Sequence, residues 1–376
     1  MSTTETDAPL TPAAAELRAV LERIMDAHHA KWGDSDEWDA LTDFQRAIGA
    51  AGWGAPAWPE AIGGKGLGVI DQLACDAEFA RVNAPRRVAV FGVNNVGPTM
   101  HAVGTPEQQR HLAAIINGDE FWCQGFSEPD AGSDLGGLRC KADVTDDGFV
   151  VNGQKVWTSI GLNATHCMLL ARTDPDAPKH KGISALLVPM DTPGLTRRAI
   201  KQINGEAEFA ELFFDNAFVP RTALLGPLHD GWRVTMATLG FERAGVLSVA
   251  GTLVGQVKEM MHSQRLADAP PTLRQKALGT YSQARILEWM GQRALAETTD
   301  GPGAVSSLIK LFWSHLAAEY AEVNADVVGI DLIAGLAPDA TNQLLTSRSA
   351  TIAGGTTEVM KNLIGERNLG LPREPR

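Results

Sequence analysis

A chain of 376 residues with 44% hydrophobic and 21% charged side chains has room for two or three domains or layers around a large core, in the range of an ordinary soluble protein. Its net charge of −12 argues against a nucleic-acid backbone as partner, although a few local donors and cations can still hold an anionic cofactor. Cysteines 75, 123, 140 and 167 show no CxxC spacing, the nine histidines show no HExxH, the start is polar and acidic, and no run of about 18 apolar residues occurs. The expectation is a cytoplasmic protein with reduced thiols, no metal, no signal peptide and no membrane span.

Thr11-Pro12 opens a helix over 9–31, in which Leu17, Val20, Leu21, Ile24 and Met25 recur at helical spacing. Trp38, Leu41, Phe44 and Ile48 form a second stripe, stopped at Gly52. The glycines of 58–68 do not fit a dinucleotide fingerprint and read as a loop. Residues 69–84 and 87–103 are predicted helical, and Thr105-Pro106-Glu107 starts a helix ending near Gly118. At Phe121 the period changes towards two. Asp146-Asp147-Gly148 and Asn152-Gly153 read as hairpin turns around Phe149–Val151, and 167–172, 183–189 and 211–214 read as strands. From Gly231 the chain is helical again. One very long helix is expected over 231–263, with further segments at 272–298, 302–335 and 339–352, giving a four-helix bundle. The fold class is α+β and multidomain: helices over 1–120, a β domain over 121–230 and a helical bundle over 231–376.

Chemistry concentrates between Phe121 and Asp134. A short apolar start leads into a loop of hydroxyls, acids and small residues, in which Ser127, Ser133 and backbone N–H groups can be aimed at one flat polar ligand. Read alone, the loop fits a surface β-connection better than a ligand cradle. It is followed by Gly153-Gln154-Lys155-Val156-Trp157-Thr158-Ser159. Together these stretches resemble the flavin-cradling segments of the acyl-CoA dehydrogenase family, and the order helices, β domain, bundle resembles that family over residues 15–372.

The resemblance implies FAD as cofactor and an acyl-CoA thioester as substrate. The product is the trans-2-enoyl-CoA, and the electron acceptor is of the electron-transfer flavoprotein kind. It places Phe126 and Ser127 at the pyrimidine side of the flavin, Trp157 beside the ring, and Ser159 at N5 with Thr158 as its neighbour. It places Ser133 and Arg243 near the CoA part of the substrate, and Thr356 and Glu358 at positions resembling cofactor-contacting ones. Many relatives carry the catalytic base near the C-terminus, but Gly354 stands at that position here. Other relatives carry it on the first helix of the bundle, where this chain has Glu242. A helical wheel puts Glu242 on one face with Thr235, Thr238, Leu239, Gly245, Val246 and Val249, with no other charge. A carboxylate on such a face is desolvated and more basic, as a general base requires.

Two departures stand out. The Arg-x-x-Phe-Gly that in relatives reaches the flavin pyrophosphate across a subunit interface is replaced by 262–268, without Phe-Gly, and a later glycine-rich stretch by 332–336. The pattern is similar to a bacterial branch acting on steroid side chains and other bulky acyl groups, some of whose members are heteromers. An oligomer, dimer or tetramer, is expected, with a paralogous subunit as one form. A non-catalytic or half-site subunit, and a flavoprotein of this fold with other chemistry, remain alternatives.

Overall fold

The computed structural model describes residues 10–244, 246–296 and 304–373. They fall into two compact units, Met1–Lys201 with Ala207–Glu242, and Gln202–Glu206 with Arg243–Arg376.

In the first unit, α1 (Pro12–Trp32) starts as expected, with the Thr11 hydroxyl accepting from the Ala14 N–H. α2 (Trp38–Ala50) packs Phe44 and Ile48 against Leu17 and Leu21. α3 (Val69–Arg81) is tied to α1 through buried Glu78, which accepts from Arg18 and Arg81. The helix predicted over 87–103 begins only at 90, passes through a π-helical turn at Gly92–Val96, and ends as α4 (Gly97–Val103). Before α5 (His111–Asn117), Thr105 and Gln108 cap each other reciprocally, and Gly118 ends the helix in a left-handed conformation.

The sheet contains β1 (Trp122–Gly125), β2 (Lys141–Val144), β3 (Gly148–Ser159), β4 (His166–Arg172), β5 (Ile183–Pro189), β6 (Leu195–Ile200), β7 (Phe209–Pro220) and β8 (Leu224–Leu225). Its order is β6-β7-β3-β2-β4-β5-β8, with β1 parallel to β4. Asp146-Asp147-Gly148 makes the β2–β3 hairpin, as predicted. Asn152-Gly153 does not make a second one. Gly153, at φ 147°, lies inside the continuous β3 at a break in its register with β7, where a Cβ would sit 2.7 Å from the Cys140 Cα. The sequence signal marked a bulge rather than a turn.

Along β4 the side chains alternate between two cores. Cys167, Leu169 and Ala171 join Phe149, Val151 and Leu212 on one side. Met168 and Leu170 join Met100 of α4 and Ile115 of α5 on the other. Burial on both faces explains the unbroken apolar run of this strand. α6 (Gly231–Ala244) adds Val234 to the second core.

The second unit holds α7 (Val246–Met261), α8 (Gln264–Ala267), α9 (Pro271–Ala296), α10 (Ala304–Val328), α11 (Ile330–Ile333), α12 (Pro338–Thr346) and α13 (Thr357–Leu363). Leu253 and Val257 of α7, Ala284 and Leu287 of α9, and Leu316 and Tyr320 of α10 form its core. The helix predicted over 302–335 is cut at Gly329, whose φ of 64° lies in the left-handed region. The long helix predicted over 231–263 is helical on both sides of Gly245, which lies outside the described residues. The segment predicted over 339–352 stops as a helix at Thr346. Helices, a β-sheet and a helical bundle follow one another as the sequence implied.

Candidate functional site

The loop after β1 is fastened to β3 at three consecutive residues. The Lys155 ammonium donates to the Phe126 carbonyl at 3.0 Å and to Glu128 Oε1 at 2.7 Å, and the Val156 N–H donates to the Ser127 carbonyl at 2.9 Å. Glu128 also accepts from the Arg139 N–H at 2.7 Å and the Cys140 N–H at 2.8 Å, which cinches the far end of the loop. Lys155 is fully buried and Glu128 nearly so. A buried charge pair of this kind persists because each partner is both compensated and hydrogen-bonded. The two segments singled out from sequence are thereby brought together.

What lies over this framework is a set of donors without protein partners. Among the described residues, no group pairs with the Ser127 hydroxyl or N–H, the Trp157 indole N–H, or the Ser159 hydroxyl. The Thr158 hydroxyl is unpaired although its residue is fully buried. The β3–β7 register breaks between Lys155 and Thr158. Trp157 takes φ 59° there and Ile160 φ 51°, conformations that each cost about 1–3 kcal/mol for such residues and that cluster at ligand sites. Trp157 rests edge-on against Phe209 and stays 58% exposed, so one flank of the indole is free for a planar partner. Orphaned donors beside an uncovered aromatic fit a flat ring bearing acceptors. Phe126 is buried within the second core, and Ser133 is exposed beside Asp134, which pairs with Lys179.

Glu242 and Arg243 occupy the last turn of α6, and their side chains lie outside the described residues. The face below Glu242 is described. Thr235 and Thr238, seven and four residues earlier, are fully buried. Thr238 donates to the Val234 carbonyl at 3.0 Å and receives the Thr99 hydroxyl of α4 at 3.0 Å. Thr99 is also within 2.7 Å of the Asn95 carbonyl, inside the π-helical turn. The helix that carries Glu242 is thus pinned one turn away, in a neutral, water-excluded seam.

In the second unit, Thr356 is the N-cap of α13 and accepts from the Val359 N–H at 3.2 Å. Glu358 sits in the first turn, where its own N–H and the Thr356 hydroxyl hold its carboxyl below the usual range. Gly354 and Gly355 both take positive φ, and the buried Lys310 ammonium donates to the carbonyls of Ala350 and Gly355. Arg265, the cation within the altered 262–268 stretch, donates to the Val328 carbonyl at 3.0 Å and to Asp331 at 2.5 Å.

Against this geometry, models of the acyl-CoA dehydrogenase N-terminal, middle and C-terminal domains match residues 12–119, 123–217 and 229–369. The acyl-CoA dehydrogenase IpdE1 of Mycobacterium tuberculosis is 40% identical over 344 residues, 88% of each chain. The chain belongs to the acyl-CoA dehydrogenase family. A solved "Tcur3481-Tcur3483 steroid ACAD" superposes with a TM-score of 0.84 at 26% identity, covering 100% of both chains. The ChsE4-ChsE5 complex of Mycobacterium tuberculosis superposes with a TM-score of 0.80 at 29% identity, covering 98% of this chain and 100% of that one. The chain is therefore an oxidoreductase acting on a CH–CH bond with a flavin. No helix among the described residues is long and apolar enough to cross a membrane.

Sequence reasoning did not single out Glu128 and Lys155 for a role in this acyl-CoA dehydrogenase. The available signal was the period of β3, since Lys155 falls in phase with buried Phe149 and Val151. Thr99 gave no signal. One further cluster was missed, where His111, Glu120 and His166 bring three metal-capable atoms together. Its carboxylate is already engaged by His111 at 2.8 Å and by the Trp122 indole N–H at 3.0 Å, with His166 stacked on Trp122. The hydrogen bond to Glu120 raises the His111 pKa, while burial lowers that of His166. Burial pushes the Glu120 carboxyl up, but His111 and His166 outweigh it and hold the group low.

Proposed function

We propose that this acyl-CoA dehydrogenase uses FAD and takes a bulky acyl-CoA of the steroid side-chain class, with Glu242 as the base. The single observation that carries the cofactor reading is the row of unpaired donors at Ser127, Thr158 and Ser159 beside the exposed Trp157 indole. When bound, the flavin supplies the acceptor for the substrate's β-hydride. Glu242 removes the α-proton, and the uncharged seam of Thr235 and Thr238 keeps water from lowering its basicity. Phe126 and Ser127 orient the ring, Trp157 shields its flank, and Ser133 and Arg243 meet the CoA arm. Thr356 and Glu358 are the candidate contacts from the C-terminal segment. The substrate class is supported by similarity to a protein described as a steroid ACAD. An electron-transfer flavoprotein-type acceptor reoxidises the enzyme.

The test is an anaerobic visible spectrum of the flavin-loaded protein, with short, long, branched and steroid-type acyl-CoAs added in turn. Bleaching by the steroid type is the expected result. Bleaching only by short straight chains overturns the substrate class. A protein that binds flavin but is bleached by none of them overturns the dehydrogenase role.

A second reading is favoured by a separate observation. Arg265, the arginine within the stretch where relatives hold the pyrophosphate, already has its donors engaged by Asp331 and the Val328 carbonyl. In this reading the chain is one half of a heteromer, and a paralogous subunit completes the phosphate end. Two of the similar solved structures carry two-protein names. Expression with and without such a partner tests it: a chain that retains stoichiometric FAD alone contradicts the half-site form.

A further inference from the structure

The fully buried ammonium of Lys155 is not required to close the sheet, because β3 has its ladder partners in β7 without it. Its two acceptors are the Phe126 carbonyl and Glu128 Oε1. The Phe126–Ser127 peptide is trans, so its carbonyl and the Ser127 N–H point in opposite directions. The carbonyl end faces the buried cation. The N–H end has no protein partner among the described residues. A cation bonded to the carbonyl of an amide draws electron density from its nitrogen and strengthens its N–H as a donor, an effect enlarged in a low-dielectric interior.

We infer that Lys155 and Glu128 form a positioning and potential-tuning pair for the flavin, with Lys155 acting through the Phe126–Ser127 peptide and Glu128 setting how much of its charge is felt. The inference rests on the flavin reading above and deepens it. Lys155 fixes the direction of the Ser127 N–H and polarises it, so the ring is held more tightly when reduced and electron-rich than when oxidised. Glu128 moderates the cation and, through the Arg139 and Cys140 N–H groups, sets the span of the loop. No proton or electron passes through either residue.

A purely structural pair predicts that any substitution loosens the loop and moves the flavin potential in one direction. A tuning pair predicts opposite signs. Lys155→Met combined with Glu128→Gln removes both charges, and should weaken binding of reduced relative to oxidised flavin by roughly tenfold, about 30 mV for a two-electron couple. Glu128→Gln alone leaves the cation uncompensated, and should shift the same ratio the other way. The measurement is the midpoint potential by dye equilibration in the flavin-loaded protein, purified with whichever chain completes it, and checked for folding by its melting temperature. Opposite shifts support the inference. Shifts of the same sign, or none, in variants that keep their flavin overturn it and leave the functional reading standing. A parent protein that takes up no flavin removes both.

Discussion

The loop after β1 and the segment around Gly354 are both built from small residues and hydroxyls, yet they treat their polar groups in opposite ways. At the first, buried Lys155 and Glu128 hold the backbone from beneath, while Ser127, Thr158 and Ser159 keep hydroxyls that nothing in the protein satisfies. At the second, Thr356 caps α13 and Lys310 binds the Ala350 and Gly355 carbonyls. Of these hydroxyls that of Thr158 is buried, and a buried donor left unpaired on a rigid frame has a cost that a ligand can offset. Satisfied groups mark a surface that stabilises itself. On the proposed reading the flavin ring meets its partners at the first region, while Arg265, the arginine in the altered 262–268 stretch, is engaged by Asp331 and the Val328 carbonyl.

The largest effect expected is at the base. Glu242→Gln should keep flavin binding and lower the rate of flavin reduction by acyl-CoA roughly 10²–10⁴-fold in stopped flow. A variant that reduces flavin at the parent rate moves the base elsewhere. Next is the frame. Lys155→Met alone strands Glu128 as a buried carboxylate and should destabilise the first unit by about 3–5 kcal/mol in urea unfolding, with flavin lost in parallel. If stability is unchanged, the loop is not held as described. Thr356→Ala removes a helix cap and should cost about 1 kcal/mol. Its flavin affinity sharpens the comparison, since a loss greater than tenfold would make Thr356 a ligand-facing group as well as a cap. Arg265→Ala breaks an exposed clamp and should change stability by less than about 1 kcal/mol, with FAD affinity unaltered.

The smallest expected effect is a pH dependence away from both regions. His111 has a raised pKa, so its pairing with Glu120 contributes stability that is complete below the unfolded value of about 6.5 and is lost as pH rises through the folded value. Glu120 has a lowered pKa, so its share is present above about 4.3 and lost as pH falls through its folded value. The pair therefore acts mainly between those two limits, and His166, with its lowered pKa, opposes it as pH falls. His111→Ala should remove the loss of stability between about pH 6 and 8, an effect of about 1 kcal/mol for a half-buried pair. Urea midpoints at the two pH values measure it.

Much of the fold was legible because burial wrote a period into the sequence. β4 and β5 carry apolar runs, Cys167–Ala171 and Ala185–Val188, covered on both faces, and α2 carries its stripe of Leu41, Phe44 and Ile48. The strands β2 and β6 were missed because they are largely exposed and only half apolar, Lys-Ala-Asp-Val and Leu-Thr-Arg-Arg-Ala-Ile, and take their conformation from their neighbours β3 and β7. Asn152-Gly153 was misread because glycine serves turns and bulges alike. In the candidate site, the short-range signals at Phe126–Ser127 and Trp157–Ser159 stood out in the sequence. The Glu128–Lys155 pair and the Thr99–Thr238 contact did not, because they join residues 27 and 139 positions apart.

The half-site reading divides a ring end held by this chain from a phosphate end completed elsewhere. The most direct test is to titrate the chain, purified alone and free of flavin, with FMN and with FAD. A chain that holds only the ring binds the two within about tenfold of each other, since the adenosine half gains it little. FAD bound more than about a hundredfold tighter than FMN would mean that this chain grips the adenosine diphosphate as well, and would contradict the division.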